Sequence, residues 1–263
     1  MITTKVAAIA GDGSTSYRRA FVESIRQTVP GLRVLWVAGG NDGLTVQDSA
    51  QSRPITWDGV VSTRMTAQGH GYLQTFNGTS NFGSSPDTAD LTFGNGLLDQ
   101  PFSVMALANI TNAVALRALV AKFNGPAVQR EWEMFAQTDN TFQLTLRDET
   151  AGQSIFRVSS GLIATGAIHL YAATYDGTGG ATAMNGATLY VDAAVFASTA
   201  TNQALYVAMA DHTQPLEIGS QNSGAASWMS GSMGFVLVAA GVLSATQMLA
   251  IKAQVNGYFG LAL

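Results

Sequence analysis

Two glutamates one residue apart, Glu131 and Glu133, are the most chemically suggestive pair in the chain. In an extended segment, residues i and i+2 point the same way. Two carboxyls on one face are what glycoside hydrolysis requires, one as acid and one as base or nucleophile. The residue between them is Trp132, and Met134 and Phe135 follow. The simpler reading is a strand with both glutamates on a solvated face and Trp132 and Met134 turned inward. A catalytic triad has less support, because His70, His169 and His212 lie far apart in the chain and no serine occupies a Gly-x-Ser-x-Gly turn. The chain has no cysteine, which removes a thiolate nucleophile, a thiolate metal site and a disulfide framework. Gly11-x-Gly13-x-x-Ser16 falls one glycine short of a dinucleotide-binding turn, and no further alternation of strands with helices follows it. No catalytic residue is assigned, and ligand-binding and metal-binding residues stay open.

The elements that must position any site belong to an all-β composition. Of 263 residues only 11% are charged and 28 are glycine, as many short strands joined by tight turns require. The length suffices to bury a core without metal or disulfide. The net charge of −4, with 13 scattered basic residues, excludes nucleic acid as a partner, since phosphate binding needs clustered cations. The start MITTKVAAIAGDGS is too soon interrupted by Asp12 to read as a secretion signal. Residues 233–251 are uncharged and about long enough to cross a bilayer, but Gly234, Gly241, Ser244, Thr246 and Gln247 split them into a strand and a capped helix. Membrane insertion is not expected. Absence of cysteine fits a bacterial or viral source better than an extracellular animal one.

In chain order, 5–10 reads as a short strand, and a helix starts near Ser14 to Ser16 with Tyr17, Phe21, Ile25 and Val29 on one face, ended by Pro30-Gly31. Strands follow at 32–37, 102–108, 116–123, 131–135, 142–146, 154–158 and 234–240, with a turn cluster at Gly39 to Gly43. Asn77-Gly78 reads as a tight hairpin with Phe76 and Phe82 packed across it. His169 to Thr174 and Leu189 to Asp192 form two strands of a further hairpin, interrupted at Asp176-Gly177 and joined by a Gly-rich loop. The last helix has a capping box, Ser244 with Gln247, and Gly257 as its stop.

The run H-x-x-A-x-T-Y-D-G from His169, a loop, then Leu189-Tyr190-Val191-Asp192 closely resembles the central hairpin of laminin-G-like, concanavalin A-like jelly-roll domains, in the version found in phage virion proteins. Phe76-Asn77-Gly78-Thr79 matches that family's F-N/D-G-T, with Phe82 where tyrosine is common. Pro101-Phe102-Ser103-Val104 matches its P-F-T-I strand, with Leu107 where tryptophan is frequent. Leu216-Glu217-Ile218-Gly219 and Leu243-Ser244-Ala245-Thr246-Gln247-Met248 match its closing segments, while Gly234 stands where an acid is usual. Residues 36–260 carry the resemblance.

The resemblance implies a concanavalin-like jelly-roll β-sandwich over 34–263, preceded by a strand–helix element at 1–33 for docking or oligomerisation, and a C-terminal helix. The function it implies is a non-enzymatic virion structural protein of a bacteriophage, such as a head decoration, spike or tail-associated protein. It would sit on the particle exterior, partnered by other virion proteins and by itself as a homo-oligomer, with capacity for host surface glycans. The alternatives are a bacterial polysaccharide-binding module and a glycoside hydrolase using Glu131 and Glu133. Its sandwich glucanases carry E-x-D-x-E, and no aspartate lies between these glutamates. No cofactor is expected. Calcium is the one ion relatives admit, with Asp176, Asp192, Asp211, Asn185 and Asn222 candidates by type alone. For sugar stacking, Trp57, Trp228 and Tyr206 are the candidates, each read as core. Asn77-Gly-Thr and Asn109-Ile-Thr fit the glycosylation sequon and are also explained by turn and strand.

Overall fold

A computed structural model describes residues 13–38, 45–47, 54–58 and 65–263. Strands dominate it, in two antiparallel sheets. The first contains β1 (Leu32–Val37), β4 (Met65–Gln68), β5 (Gly71–Asn77), β7 (Phe102–Ile110), β12 (Ile168–Tyr175), β13 (Ala187–Val191), β14 (Ala194–Phe196) and β17 (Ser230–Ala240). Its order is β14-β13-β12-β7-β17-β5-β4, and β1 pairs with β17 beside β5. The second contains β2 (Thr45–Gln47), β3 (Pro54–Asp58), β6 (Phe82–Ser85), β8 (Arg117–Asn124), β9 (Gln129–Ala136), β10 (Phe142–Asp148), β11 (Gln153–Ser159), β15 (Ser198–Thr201) and β16 (Leu216–Ile218), in the order β15-β11-β10-β9-β8-β16-β6-β3-β2. Helices α1 (Gly13–Thr28) and α2 (Ala245–Phe259) complete the fold.

Alternation within the strands builds two cores. On β7, Phe102, Val104, Ala106, Ala108 and Ile110 face the second sheet, while Met105 and Leu107 face the helices. On β1, Val34 and Trp36 take the first side, Leu35 and Val37 the second. Both faces of these strands are covered, which is why they read as unbroken apolar runs rather than as half-polar ones. On the helix side, Phe21, Ile25 and Val29 of the α1 segment meet Met248, Ile251 and Val255 of α2 over Phe235 and Leu237. The β12–β13 hairpin forms as read, with Tyr171 opposite Val191 and Tyr175 opposite Ala187. The loop between them holds a short 3-10 segment, Gly180–Gly186.

Two local expectations are corrected. Asn77-Gly78 does not close a hairpin, because β5 and β6 belong to different sheets. The Asn77 carboxamide accepts from the backbone N–H of Thr79 (2.9 Å) and Ser80 (2.9 Å), and the chain turns a corner from one layer to the other. Helix α2 does not stop at Gly257 either. It runs to Phe259, and Gly260, left-handed at φ +65, caps it. Gly234 has Phe259 Cε1 and Leu73 Cδ2 2.8 Å from where a Cβ would stand, so a side chain there would force both to shift. The 5–10 strand, Gly11 of the glycine-rich turn and the Gly39 to Gly43 turn cluster lie outside the described residues.

Candidate functional site

The two glutamates part company on β9. Lys122 pairs with Trp132 and Phe123 pairs with Arg130, which leaves Glu131 as the extra residue of a bulge. Both Lys122 and Glu131 are 0% exposed, and Lys122 Nζ lies 3.0 Å from Glu131 Oε1. The same ammonium donates to Asp87, and Thr92 Oγ1 and the His212 carbonyl stand 3.4 Å away. The His212 backbone N–H donates to Glu131 Oε1 at 3.1 Å. Burial pushes the Glu131 carboxyl up to about 8 against the pull of Lys122. Glu131 thus has a structural role, tying β9 through Lys122 to the loops carrying Asp87 and His212, since a buried lysine without partners would cost several kcal/mol. The solvated-face expectation for Glu131 fails because the bulge breaks the period-2 alternation at that residue.

Glu133 follows the alternation, while Trp132 and Met134 point into the core as read. Glu133 therefore lies on the outer face of the nine-stranded sheet, opposite Ala121 on β8 and Thr145 on β10. It is not solvated as expected, being 8% exposed. Its crowded surroundings push the carboxyl up to about 8. Among the described residues it has no hydrogen-bond partner. The adjoining strand segment, Phe142 to Leu146, alternates cleanly, so Leu144 and Leu146 enter the core and Gln143 and Thr145 stand beside Glu133. Gln137 donates to Gln143, whose Nε2 donates to Thr145 Oγ1 at 2.7 Å. The Thr145 oxygen is occupied as an acceptor, and its own proton is still to give. Phe135 flanks Gln143, and half-buried Phe156 flanks Thr145.

Toward one side of this face the 220–228 loop folds over the sheet. Glu217 holds it, accepting from Ser220 Oγ, from Gln214 Nε2 (2.6 Å) and from the backbone N–H of Ser223 (2.7 Å) and Gly224 (2.9 Å). Desolvation raises the Glu217 pKa and these donors oppose the rise. Trp228, on the same loop, is half-buried and donates its indole N–H to the Gly224 carbonyl at 3.0 Å. Trp57 and Tyr206 are core, as read.

The remaining residues singled out by type do not converge. His169 Nδ1 lies 2.7 Å from Asp192 Oδ2, a satisfied structural histidine. His212 Nε2 is buried without a partner, and desolvation lowers its pKa. His70 stacks on Tyr17. Asp176 Oδ1 closes its turn by accepting from Thr178 N (2.9 Å), Asn185 accepts from Asn202 (2.9 Å), Asn222 from Gly125 N (2.7 Å) and Asp211 from Thr92 (3.3 Å). Among the described residues, no three side chains of His, Asp or Glu gather where a metal could sit. No described helix is long and apolar enough to cross a membrane. Reasoning from the sequence missed Gln143, Thr145, Lys122 and Glu217. The alternation of Phe142 to Leu146 was the signal that could have placed the first two.

No curated protein sequence matches the chain. Among solved structures, the binding domain of Paraclostridial Mosquitocidal Protein 1 superposes with TM-score 0.63 at 12% identity over 86% of this chain and 52% of that one. The binding domain of botulinum neurotoxin serotype G gives 0.60 at 11% identity, over 84% and 50%. Domain 4 of an extracellular arabinanase from Geobacillus stearothermophilus, in complex with arabinotriose, gives 0.57 at 14% identity, over 84% and 98%. The chain spans about half the length of the two toxin domains, and identities this low speak for the fold alone. A family model of the concanavalin A-like lectin/glucanases superfamily matches residues 82–248, from β6 into α2. The chain therefore belongs to the laminin-G branch of the concanavalin A-like lectin and glucanase superfamily.

Proposed function

We propose that the protein is a non-enzymatic glycan-binding protein that works from the outer face of its nine-stranded sheet, and that its setting is the exterior of a bacteriophage particle. The observation that carries the reading is the unfilled pair on that face. The Thr145 hydroxyl, at the end of the Gln137–Gln143–Thr145 relay, has a proton to give, and Glu133 opposite it has no partner. A sugar hydroxyl both accepts and donates, so it completes both groups at once. The half-buried Phe156 ring beside Thr145 offers apolar surface to a sugar's C–H face. Hydrolysis is disfavoured because the other carboxyls near Glu133 are engaged: Glu131 with Lys122, and Glu217, on the same face opposite Ala121, with four donors from the 214–224 segment.

The particle setting is supported by the lack of cysteine and by the uncharged Gly-rich loops. In this reading residues 1–33 are a docking or oligomerisation element, and the partners are other virion proteins and further copies of the chain. The test is binding to a panel of bacterial surface polysaccharides, by glycan array and then calorimetry. Phe156→Ala and Glu133→Ala each weaken the captured glycan about tenfold, the loss of one stacking or hydrogen-bond contact. Absence of binding across the panel, or release of reducing ends from a bound glycan, would overturn the reading.

A further inference from the structure

On the opposite side of the sandwich, α1 and α2 lie side by side. Gln254 Nε2 donates to Thr28 Oγ1 at 2.8 Å and to the Ser24 carbonyl at 3.3 Å, and the Phe21 and Tyr258 rings stack at 4.4 Å. Toward the N-terminal end of α1 the helices leave a cleft of about 320 Å³, lined by Tyr17, Phe21, Ser24, His70, Gln254 and Tyr258 together with Ala20 and Gly257. None of these is an acid, a lysine or an arginine. Tyr17 is 51% exposed yet fixed, its ring 3.8 Å from the His70 imidazole and nearly parallel to it.

Two features of the cleft are not accounted for by contacts within the fold. Gly257 sits within α2, where glycine is less favourable than alanine by about 1 kcal/mol. Nothing lies within 4 Å of where its Cβ would stand, so no neighbour demands a glycine there. Gln254 Oε1 is buried with no hydrogen-bond partner, although its amide nitrogen is doubly engaged. Ser24 Oγ already donates to the Phe21 carbonyl at 2.8 Å, which leaves it an acceptor.

We propose that the α1–α2 cleft is a second ligand site, built for a single neutral sugar ring and independent of the sheet face. The exposed Tyr17 ring calls for an apolar ring face, and acceptors without donors call for hydroxyls. A sugar presents both, whereas a hydrocarbon or an indole ring leaves Gln254 Oε1 or Ser24 Oγ unfilled. The volume lies at the small end of ligand pockets and suits one ring rather than a chain.

The test is saturation-transfer NMR on the full chain with free glucose, galactose, mannose and N-acetylglucosamine. At least one of them gives transfer to the C–H protons of one ring face, in the wild type and equally in Glu133→Ala. Gly257→Leu fills the cleft and removes the transfer, while raising the melting temperature by about 2 °C through better helix propensity. Tyr17→Ala, at an exposed position, weakens the same signal at least tenfold. No transfer from any of the four sugars, or transfer unchanged in Gly257→Leu, would refute the site. Loss in Glu133→Ala with retention in Gly257→Leu would assign the binding to the sheet face instead. Transfer from indole but from no sugar would make the cleft a socket for a partner's aromatic side chain and equally overturn the proposal.

Discussion

Glu133 carries a cost that its neighbours do not offset, and pH exposes it. The unfolded chain releases this proton near the ordinary 4.5, and the folded chain holds it up to about 8. Between those values the folded state binds more protons, so its stability falls as pH rises through the window. At 1.36 kcal/mol per unit, the penalty reaches about 3 kcal/mol at pH 7. Glu133→Gln keeps the shape and does not titrate. Urea unfolding is expected to show the variant equal to wild type at pH 4 and more stable by about 3 kcal/mol at pH 7. A variant less stable than wild type at pH 7 would mean that the carboxylate has a partner. The alternation that places Glu133 on one face of a strand could be read from Glu131 to Phe135 in the sequence. That Glu131 leaves this face could not, because the bulge is set by register against β8 and by a lysine nine residues away.

At the scale of elements, local signals were legible where both partners are close in the chain. The capping box of α2 is one: Ser244 Oγ accepts from Gln247 N at 3.3 Å, and Ser244 N donates to Gln247 Oε1 at 2.9 Å. Ser244→Ala is expected to cost about 1 kcal/mol, a drop of about 3 °C in melting temperature by circular dichroism. No change would show that the tertiary packing of Met248, Ile251 and Val255 alone sets where the helix starts. The other end of α2 was misread because Gly257 and Gly260 are indistinguishable as residues. Only the burial of Tyr258 and Phe259 against the sheet decides that the helix continues past the first and is capped by the second. Asn77-Gly78 follows the same rule, since the turn was visible but the sheet to which its second strand belongs is decided by β16 and β3.

For the whole molecule, α1 has two faces that bear on assembly differently. Its inner face supplies Phe21 and Ile25, with Val29 just beyond, to the core shared with α2, so deleting the segment would strip apolar cover from Phe235, Tyr258 and Phe259. Truncation would therefore confuse assembly with folding. The outer face separates them. Arg19, Glu23 and Arg26 are exposed, and Arg26 and Glu23 are 3.9 Å apart in an ion pair too solvated to contribute much to stability. If residues 1–33 dock copies of the chain together, as a closed symmetric assembly requires of one repeated surface, this is the exposed surface that the described residues of the element offer. Light scattering of the full chain is then expected to give an integral multiple of the monomer mass. Arg19→Glu with Arg26→Glu should give the monomer, with a melting temperature below the wild type only by the loss of the interface. A wild-type chain that is monomeric at all concentrations would remove the oligomer from the proposed particle role. An oligomer untouched by the double charge reversal would move the interface off α1.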